Sequence, residues 1–424
     1  MSIGKRILKI LGWTAGSLAL LVLALVLYVQ LRWDAKDGRP APDLQAPTDS
    51  ATIARGEYIY KYQAQCWGCH GSRTETTEVP AGGFALPAGG GLFDLTDVGP
   101  GFGRWYARNL TPDVETGLGG WSDGEIVQAL REGLTKDRIT LFPIMPMDWY
   151  HGMADDDVLA VVAYLRSLPP VKNKVPDREP SFVAKALFTF GILKTMEPVT
   201  SPITAPPRGI SAEYGKYVAS NLSGCADCHT PRNLQDGQFY LDSLFAGSSF
   251  PFGGGDDSPL LSYARNITPD HETGIGSWSE EQFLTALTTG QRPDSTVISP
   301  HMPYAYYKAW NMEDLQAVFA YLTTVPALRR TVPPNAFEKD ISGVHGVERG
   351  KVLYRSRCEA CHGKNGTGAQ PTNVKLAEVA ASLTDKDLMD FLRSGQMNLK
   401  MPGFGKTLKE DELNDVVAFI RTWK

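Results

Sequence analysis

No cysteine of this 424-residue chain lies outside three five-residue segments, and there are only six in all. The chain also lacks a basic excess: 47 acidic residues against 42 lysines and arginines leave a net charge of −5. Nucleic acid needs a basic face, so this balance argues against it as a partner. The glycine fingerprint of a dinucleotide fold is missing too. The runs Gly89-Gly90-Gly91 and Gly253-Gly254-Gly255 lack its spacing and read as loops. Six cysteines would suffice for three disulfides in an oxidising compartment. Bridges, however, do not require a histidine directly after every second cysteine.

What is there is a thrice-repeated pentapeptide: Cys66-Trp67-Gly68-Cys69-His70, Cys225-Ala226-Asp227-Cys228-His229 and Cys358-Glu359-Ala360-Cys361-His362. Two cysteines three apart followed at once by histidine form the attachment signature of a c-type haem. Thiols one helical turn apart each form a thioether to a haem vinyl group, and the adjacent histidine becomes the proximal iron ligand. A single copy would also suit a zinc or redox pair. Three copies that use every cysteine predict three covalently attached haem c groups, with Cys66, Cys69, Cys225, Cys228, Cys358 and Cys361 binding them and His70, His229 and His362 on iron.

The N-terminus carries the second strong signal. Lys5, Arg6 and Lys9 precede an uncharged apolar run from Ile10 to Leu31. Twenty-two residues at about 1.5 Å each cross a hydrocarbon layer of about 30 Å. A cleaved signal peptide has a shorter apolar core followed by a small-x-small site, and no such site follows here. An uncleaved single-pass anchor is expected, with the basic residues in the cytoplasm and everything after Arg32 outside. That side is where bacteria attach covalent haem.

In chain order, residues 1–33 form the anchor, and 34–52 a polar, proline-bearing tether. A first domain covers 53–168 and a second covers 208–325. Ala107-Arg108-Asn109-Leu110-Thr111-Pro112-Asp113 returns 157 positions later as Ala264-Arg265-Asn266-Ile267-Thr268-Pro269-Asp270. Trp121-Ser122, Met145-Pro146 and the run Val161 to Leu165 return at the same offset, while the haem cysteines return at 159. A repeat this long is a duplicated domain. A shorter third domain, 346–424, lacks the Arg-Asn-Leu-Thr-Pro-Asp segment. Linkers 169–207 and 326–345 separate the three. The first holds the apolar segment Phe182 to Leu193, too short to span a bilayer. It reads as packed on a domain, a partner subunit or the membrane surface.

Each domain places one Met-Pro pair shortly before its last helix: Met145, Met302 and Met401. Methionine as sixth ligand raises the haem potential relative to two histidines. The alternative for any lone methionine is core packing. Nearby competitors are Met147 and His151 for the first haem, His301 for the second and Met397 for the third. Arg108 and Arg265 are candidates to pair with haem propionates. The same loops are equally explained as structural turns pinned by Thr-Pro and a capping aspartate.

At these residues the chain resembles the three-haem cytochrome c subunits of membrane-bound periplasmic dehydrogenases that oxidise alcohols, aldehydes or sugar acids. The resemblance covers nearly everything after residue 53. It departs at the N-terminal anchor and at the loop Gln235 to Ser262. It implies an all-α fold of three tandem cytochrome c-type domains behind a transmembrane helix. It also implies an electron-transfer subunit rather than an enzyme, with a dehydrogenase catalytic subunit as donor and membrane quinone or a soluble carrier as acceptor. Two other readings stand beside it. One is the cytochrome subunit of a quinol-oxidising or terminal-oxidase complex. The other is a multihaem peroxidase, against which three retained Met-Pro pairs argue.

Overall fold

The computed structural model describes residues 3–71, 89, 101–233, 237–252, 262–333 (except 295, 297 and 300), 345–358, 362–363, 366, 375–395, 401, 403–405 and 408–423. Cys361 and Met397 lie outside the described residues, as do most of the loop 80–103 and residues 235–236 and 253–261 of the loop 235–262. The described fold is helical, with one two-residue antiparallel ribbon, β1 (Gly103–Arg104) on β2 (Glu179–Pro180).

Helix α1 (Ile3–Arg32) holds the apolar run, and its surface is predominantly apolar between Ile10 and Leu31. Among the described residues it is the one helix long and apolar enough to cross a membrane. Its mid-portion carries no charge that would need a partner in hydrocarbon.

The two duplicated domains repeat one helix order. Domain 1 has α2 (Ser50–Tyr58), α3 (Trp67–His70), α4 (Asp123–Glu132), α5 (Met147–Tyr150) and α6 (Asp155–Ser167). The linker helix α7 (Phe182–Thr189) follows. Domain 2 has α8 (Ala212–Tyr217), α9 (Cys225–His229), α10 (Glu280–Thr289), α11 (Tyr304–Tyr307) and α12 (Met312–Leu322). Both α2 and α8 run on into a π-helical turn, Ile59–Gln63 and Val218–Leu222, just before the haem motif. Helices α4 and α10 start at capping boxes, Ser122 with Glu125 and Ser279 with Gln282. Both stop at glycines with positive φ, Gly133 at 71° and Gly290 at 75°. Domain 3 contributes α13 (Gly346–Arg357), α14 (Leu376–Ser382), α15 (Asp385–Ser394) and α16 (Glu410–Ile420).

In each domain the first helix packs on the last: α2 on α6, α8 on α12, α13 on α16. A glycine sits at each crossing. A Cβ on Gly56 would overlap the Ala160 carbonyl, one on Gly215 the Ala317 carbonyl, and one on Gly350 the Asp415 carbonyl. Below the crossings lie aromatic pairs, Tyr60 with Tyr164 at 5.3 Å and Tyr354 with Phe419 at 5.4 Å.

Two features were not foreseen from the sequence. Domains 1 and 2 do not have separate cores; one continuous cluster runs from Ile59 and Val162 to Leu222 and Leu322, while domain 3 builds its own around Tyr354 and Leu413. Residues 34–49 are no free tether either. Arg39 donates to the Met196 carbonyl (2.9 Å) and the Thr195 hydroxyl (2.6 Å), and the Ala46 amide donates to Asp123 (2.8 Å). Polar, proline-bearing composition marks a chain without regular structure, and here that chain lies along domain 1.

Candidate haem sites

Helix α3 carries Cys69 and His70, with Cys66 at its N-cap, and α9 carries Cys225, Cys228 and His229. One short helix thereby brings two thiols and an imidazole to one face. The two histidines are held alike. His70 Nδ1 is 2.8 Å from the Arg108 carbonyl, and His229 Nδ1 is 2.7 Å from the Arg265 carbonyl. A carbonyl only accepts, so Nδ1 carries the proton and Nε2 is left as the basic nitrogen. This is the orientation a ligating imidazole needs, and the hydrogen bond also raises its basicity. Burial lowers the pKa of both histidines, partly offset by that carbonyl, so both are neutral at pH 7.

Burial pushes the thiols the other way. Cys66 and Cys228 rise to about 12, and Cys69 and Cys225 also move up. At pH 7 these are neutral thiols. Among the described residues, no group of three or more His, Cys, Asp and Glu comes together as a metal cluster. The donor set therefore fits covalent haem. In domain 3, Cys358 and His362 are buried on the third core.

The loops that supply the two carbonyls are built identically. Asn109 Oδ1 accepts from the Thr111 amide (3.0 Å) and hydroxyl (2.8 Å), while Asn109 Nδ2 donates to the Val171 carbonyl (2.7 Å). Asn266, Thr268 and Leu328 repeat all three contacts. Each loop is thus stitched to the start of the linker that follows its domain. The Arg108 guanidinium donates to the Pro176 carbonyl (3.1 Å), and that of Arg265 to Val332 and Pro333 (both 3.1 Å). The sequence singled out the guanidiniums for propionates; the structure gives these positions a second role, through their backbone carbonyls. The recurrence of the loop after each haem motif was the signal for it.

Met145 and Met302 are half-buried against the shared core, and Met401 against the third. Of the competitors, Met147 is buried with its sulfur against Gly133, as a packing residue. His151 Nδ1 lies 3.1 Å from the Arg131 carbonyl, and His301 Nδ1 2.6 Å from the Ser262 hydroxyl. His271 and His345 are exposed.

The two sites also reach into each other. Trp67, between the cysteines of site 1, packs on Tyr306 of α11 at 4.8 Å between ring centroids. Asp227, between the cysteines of site 2, accepts from Trp149 Nε1 of α5 at 3.2 Å. Tyr306 and Trp149 are equivalent repeat positions, each four residues after the Met-Pro methionine of its domain. Such exchanged contacts are the mark of a two-fold arrangement. It was not legible in the sequence, because the repeat reveals equivalent residues but not which of them touch.

Residues 53–169 match the family described as cytochrome c, and residues 345–420 match that described as cytochrome c oxidase, cbb3-type, subunit III. The cytochrome c subunit of the quinone alcohol dehydrogenase of Gluconobacter oxydans is 28% identical over 403 residues, covering 88% of this chain and 78% of the relative. The gluconate 2-dehydrogenase cytochrome c subunit of Pantoea cypripedii is 26% identical, covering 88% and 86%. The fructose dehydrogenase cytochrome subunit of Gluconobacter japonicus is 26% identical, covering 78% and 68%. These relatives are electron-transfer subunits of dehydrogenase complexes rather than catalytic ones.

Proposed function

We propose that this chain, which carries cytochrome c domains and is similar to the cytochrome subunits of three dehydrogenases, is a membrane-anchored tri-haem electron relay. It takes electrons from a periplasmic dehydrogenase subunit and delivers them to membrane quinone or another carrier. Haem c supplies the one-electron chemistry when bound. The chain's residues would hold it: Cys66 and Cys69, Cys225 and Cys228, and Cys358 and Cys361 would attach it, and His70, His229 and His362 would ligate the iron. Met145, Met302 and Met401 would complete the ligand set of the iron. Arg108 and Arg265 face their domains' linkers and complete the surround.

The observation that carries this reading is the crosswise packing of α3 on α11 and α9 on α5. Each haem-binding helix touches the segment just after the other site's methionine. Two one-electron sites so joined suit transfer through protein better than two isolated reactive centres. Helix α1 supports the anchor by its length and its lack of internal charge.

One observation favours a second reading, the cytochrome subunit of an oxidase complex: the match of residues 345–420 to a cbb3 oxidase subunit family. It concerns the third domain alone. Purification of the tagged chain from its native membrane separates the two. A co-purifying dehydrogenase subunit whose substrate reduces the haems supports the proposal. Haems that are reduced by quinol and reoxidised by a co-purifying oxidase, with no dehydrogenase present, would overturn it.

A further inference from the structure

Helix α7 is capped by Ser181, whose hydroxyl accepts from the Ala184 amide at 3.2 Å. Its inner side is set by Ala184 and Phe188, which pack with Trp105, Phe102 and Phe142 in a small cluster of their own. The opposite side carries Phe182 (43% exposed), Val183 (54%) and, just past the helix end, Phe190 (57%) and Ile192 (43%). A helix on the surface of a water-soluble domain turns polar side chains outward. Here the outer stripe is apolar, and contiguous apolar surface marks a contact site.

The position of α7 names the contact. It packs on the outer end of α1, where Lys185 Nζ donates to Gln30 Oε1 at 2.7 Å. Trp33, immediately after α1, has the Arg178 guanidinium over its ring at 4.8 Å and Lys185 Nζ at 5.3 Å. Tryptophan and long cationic side chains belong at the headgroup level of a bilayer. Of the exposed acids nearby, Glu179 has Arg104 at 4.0 Å and Asp177 has Arg108 at 3.8 Å, while Asp34, next to Trp33, acts on Arg178 and leaves Lys185 as the cation without an acid beside it among the described residues.

We propose that α7 lies in the membrane interface, its outer stripe in the headgroup–acyl boundary of an anionic phospholipid surface, with Arg178 and Lys185 among the phosphates. This rests on α1 being a membrane span. A helix lying in the interface buries such a stripe against acyl chains and gains affinity from anionic lipid. Because β2 and the Trp105–Phe142 cluster tie α7 to domain 1, the bilayer then fixes the height and tilt of the first haem site.

The test uses the full-length haem-loaded chain in phosphatidylcholine–phosphatidylglycerol vesicles, with a nitroxide at Val183→Cys, Phe190→Cys, Leu21→Cys or Val114→Cys. These side chains are all exposed, so labelling leaves the cores intact. Collision with oxygen is compared with collision with a water-soluble nickel chelate. The expected result is an oxygen-to-nickel ratio at 183 and 190 several-fold above that at 114, with the highest ratio at 21. Ratios at 183 and 190 equal to that at 114, with 21 still lipid-like, would overturn the α7 proposal and leave the anchor standing. A water-like ratio at 21 would overturn the anchor and α7 together. Labels at 183 and 190 shielded from both reagents would show a protein cover, a second copy or a partner subunit, and would equally overturn it.

Discussion

The hydroxyl of Tyr58 in domain 1 donates to Asp314 in domain 2 at 2.6 Å, and its repeat equivalent Tyr217 donates back to Asp157 at 2.8 Å. Each hydroxyl also accepts a backbone amide across the interface, Asn311 for Tyr58 (2.8 Å) and Ala154 for Tyr217 (2.9 Å). Burial and the neighbouring carboxylates raise the pKa of both phenols far above their ordinary range, so they stay protonated donors. The exchange locks the duplicated domains into one body around their shared core.

The lock is not symmetric in charge. Asp157 accepts a two-pronged pair from Arg55 (2.8 and 3.0 Å), whereas Asp314 accepts from neutral Tyr58, Tyr214 (3.0 Å) and Gln63 (3.1 Å). Tyr214 occupies the repeat position of Arg55. Removing one partner of a buried pair strands the other charge at about 3–5 kcal/mol, whereas a carboxylate held by neutral donors tolerates replacement by an amide better. Asp157→Asn is therefore expected to destabilise the haem-loaded protein markedly more than Asp314→Asn. Denaturant unfolding followed by haem absorbance checks this; equal losses would contradict it.

The three crossing glycines predict separable failures. Gly350→Ala forces α13 from α16 and is expected to cost haem attachment in domain 3 alone, because that core is distinct. Gly56→Ala acts on the shared core and is expected to compromise both duplicated sites. Haem stoichiometry by pyridine haemochrome, with peptide mapping of the haem-bearing fragments, reads the difference. Loss of one haem in each variant would contradict the common core.

Asp113 and Asp270 brace the loops that present the two histidine-orienting carbonyls. The Thr116 and Thr273 hydroxyls and amides, each at 2.7 Å, hold these carboxyls below their ordinary pKa. A depressed folded value adds stability that is full above the unfolded pKa of about 4 and is lost as pH falls through the folded value. Asp113→Asn should thus be less stable than the native chain at pH 7, with the gap closing below about pH 4. Unfolding midpoints across that range test it, and a gap independent of pH would count against the charge.

Much of the architecture is legible in the sequence because covalent haem attachment fixes cysteine and histidine at short spacing. The duplication is visible because its loops must keep Asn109 and Asn266, and Thr111 and Thr268, to shape the same turn. Contacts between repeats are another matter. Tyr58, Trp67, Trp149 and Asp314 stand in segments whose local pattern is satisfied by ordinary helices, so nothing local marks them as reaching across. Residues 34–49 misled for the converse reason: proline and polar composition describe a chain without regular structure, not one without contacts.

The most direct test of the relay is spectroscopic, on the purified full-length protein. Three haems per chain are expected, each low-spin and methionine-ligated, showing the Met–Fe(III) band near the red edge of the visible spectrum and no response to carbon monoxide or peroxide. Met145→Ala, Met302→Ala and Met401→Ala should each remove one share of that band, lower one potential and open one haem to carbon monoxide. A native high-spin haem that binds carbon monoxide or turns over peroxide, or a chain carrying fewer than three haems, would contradict the account.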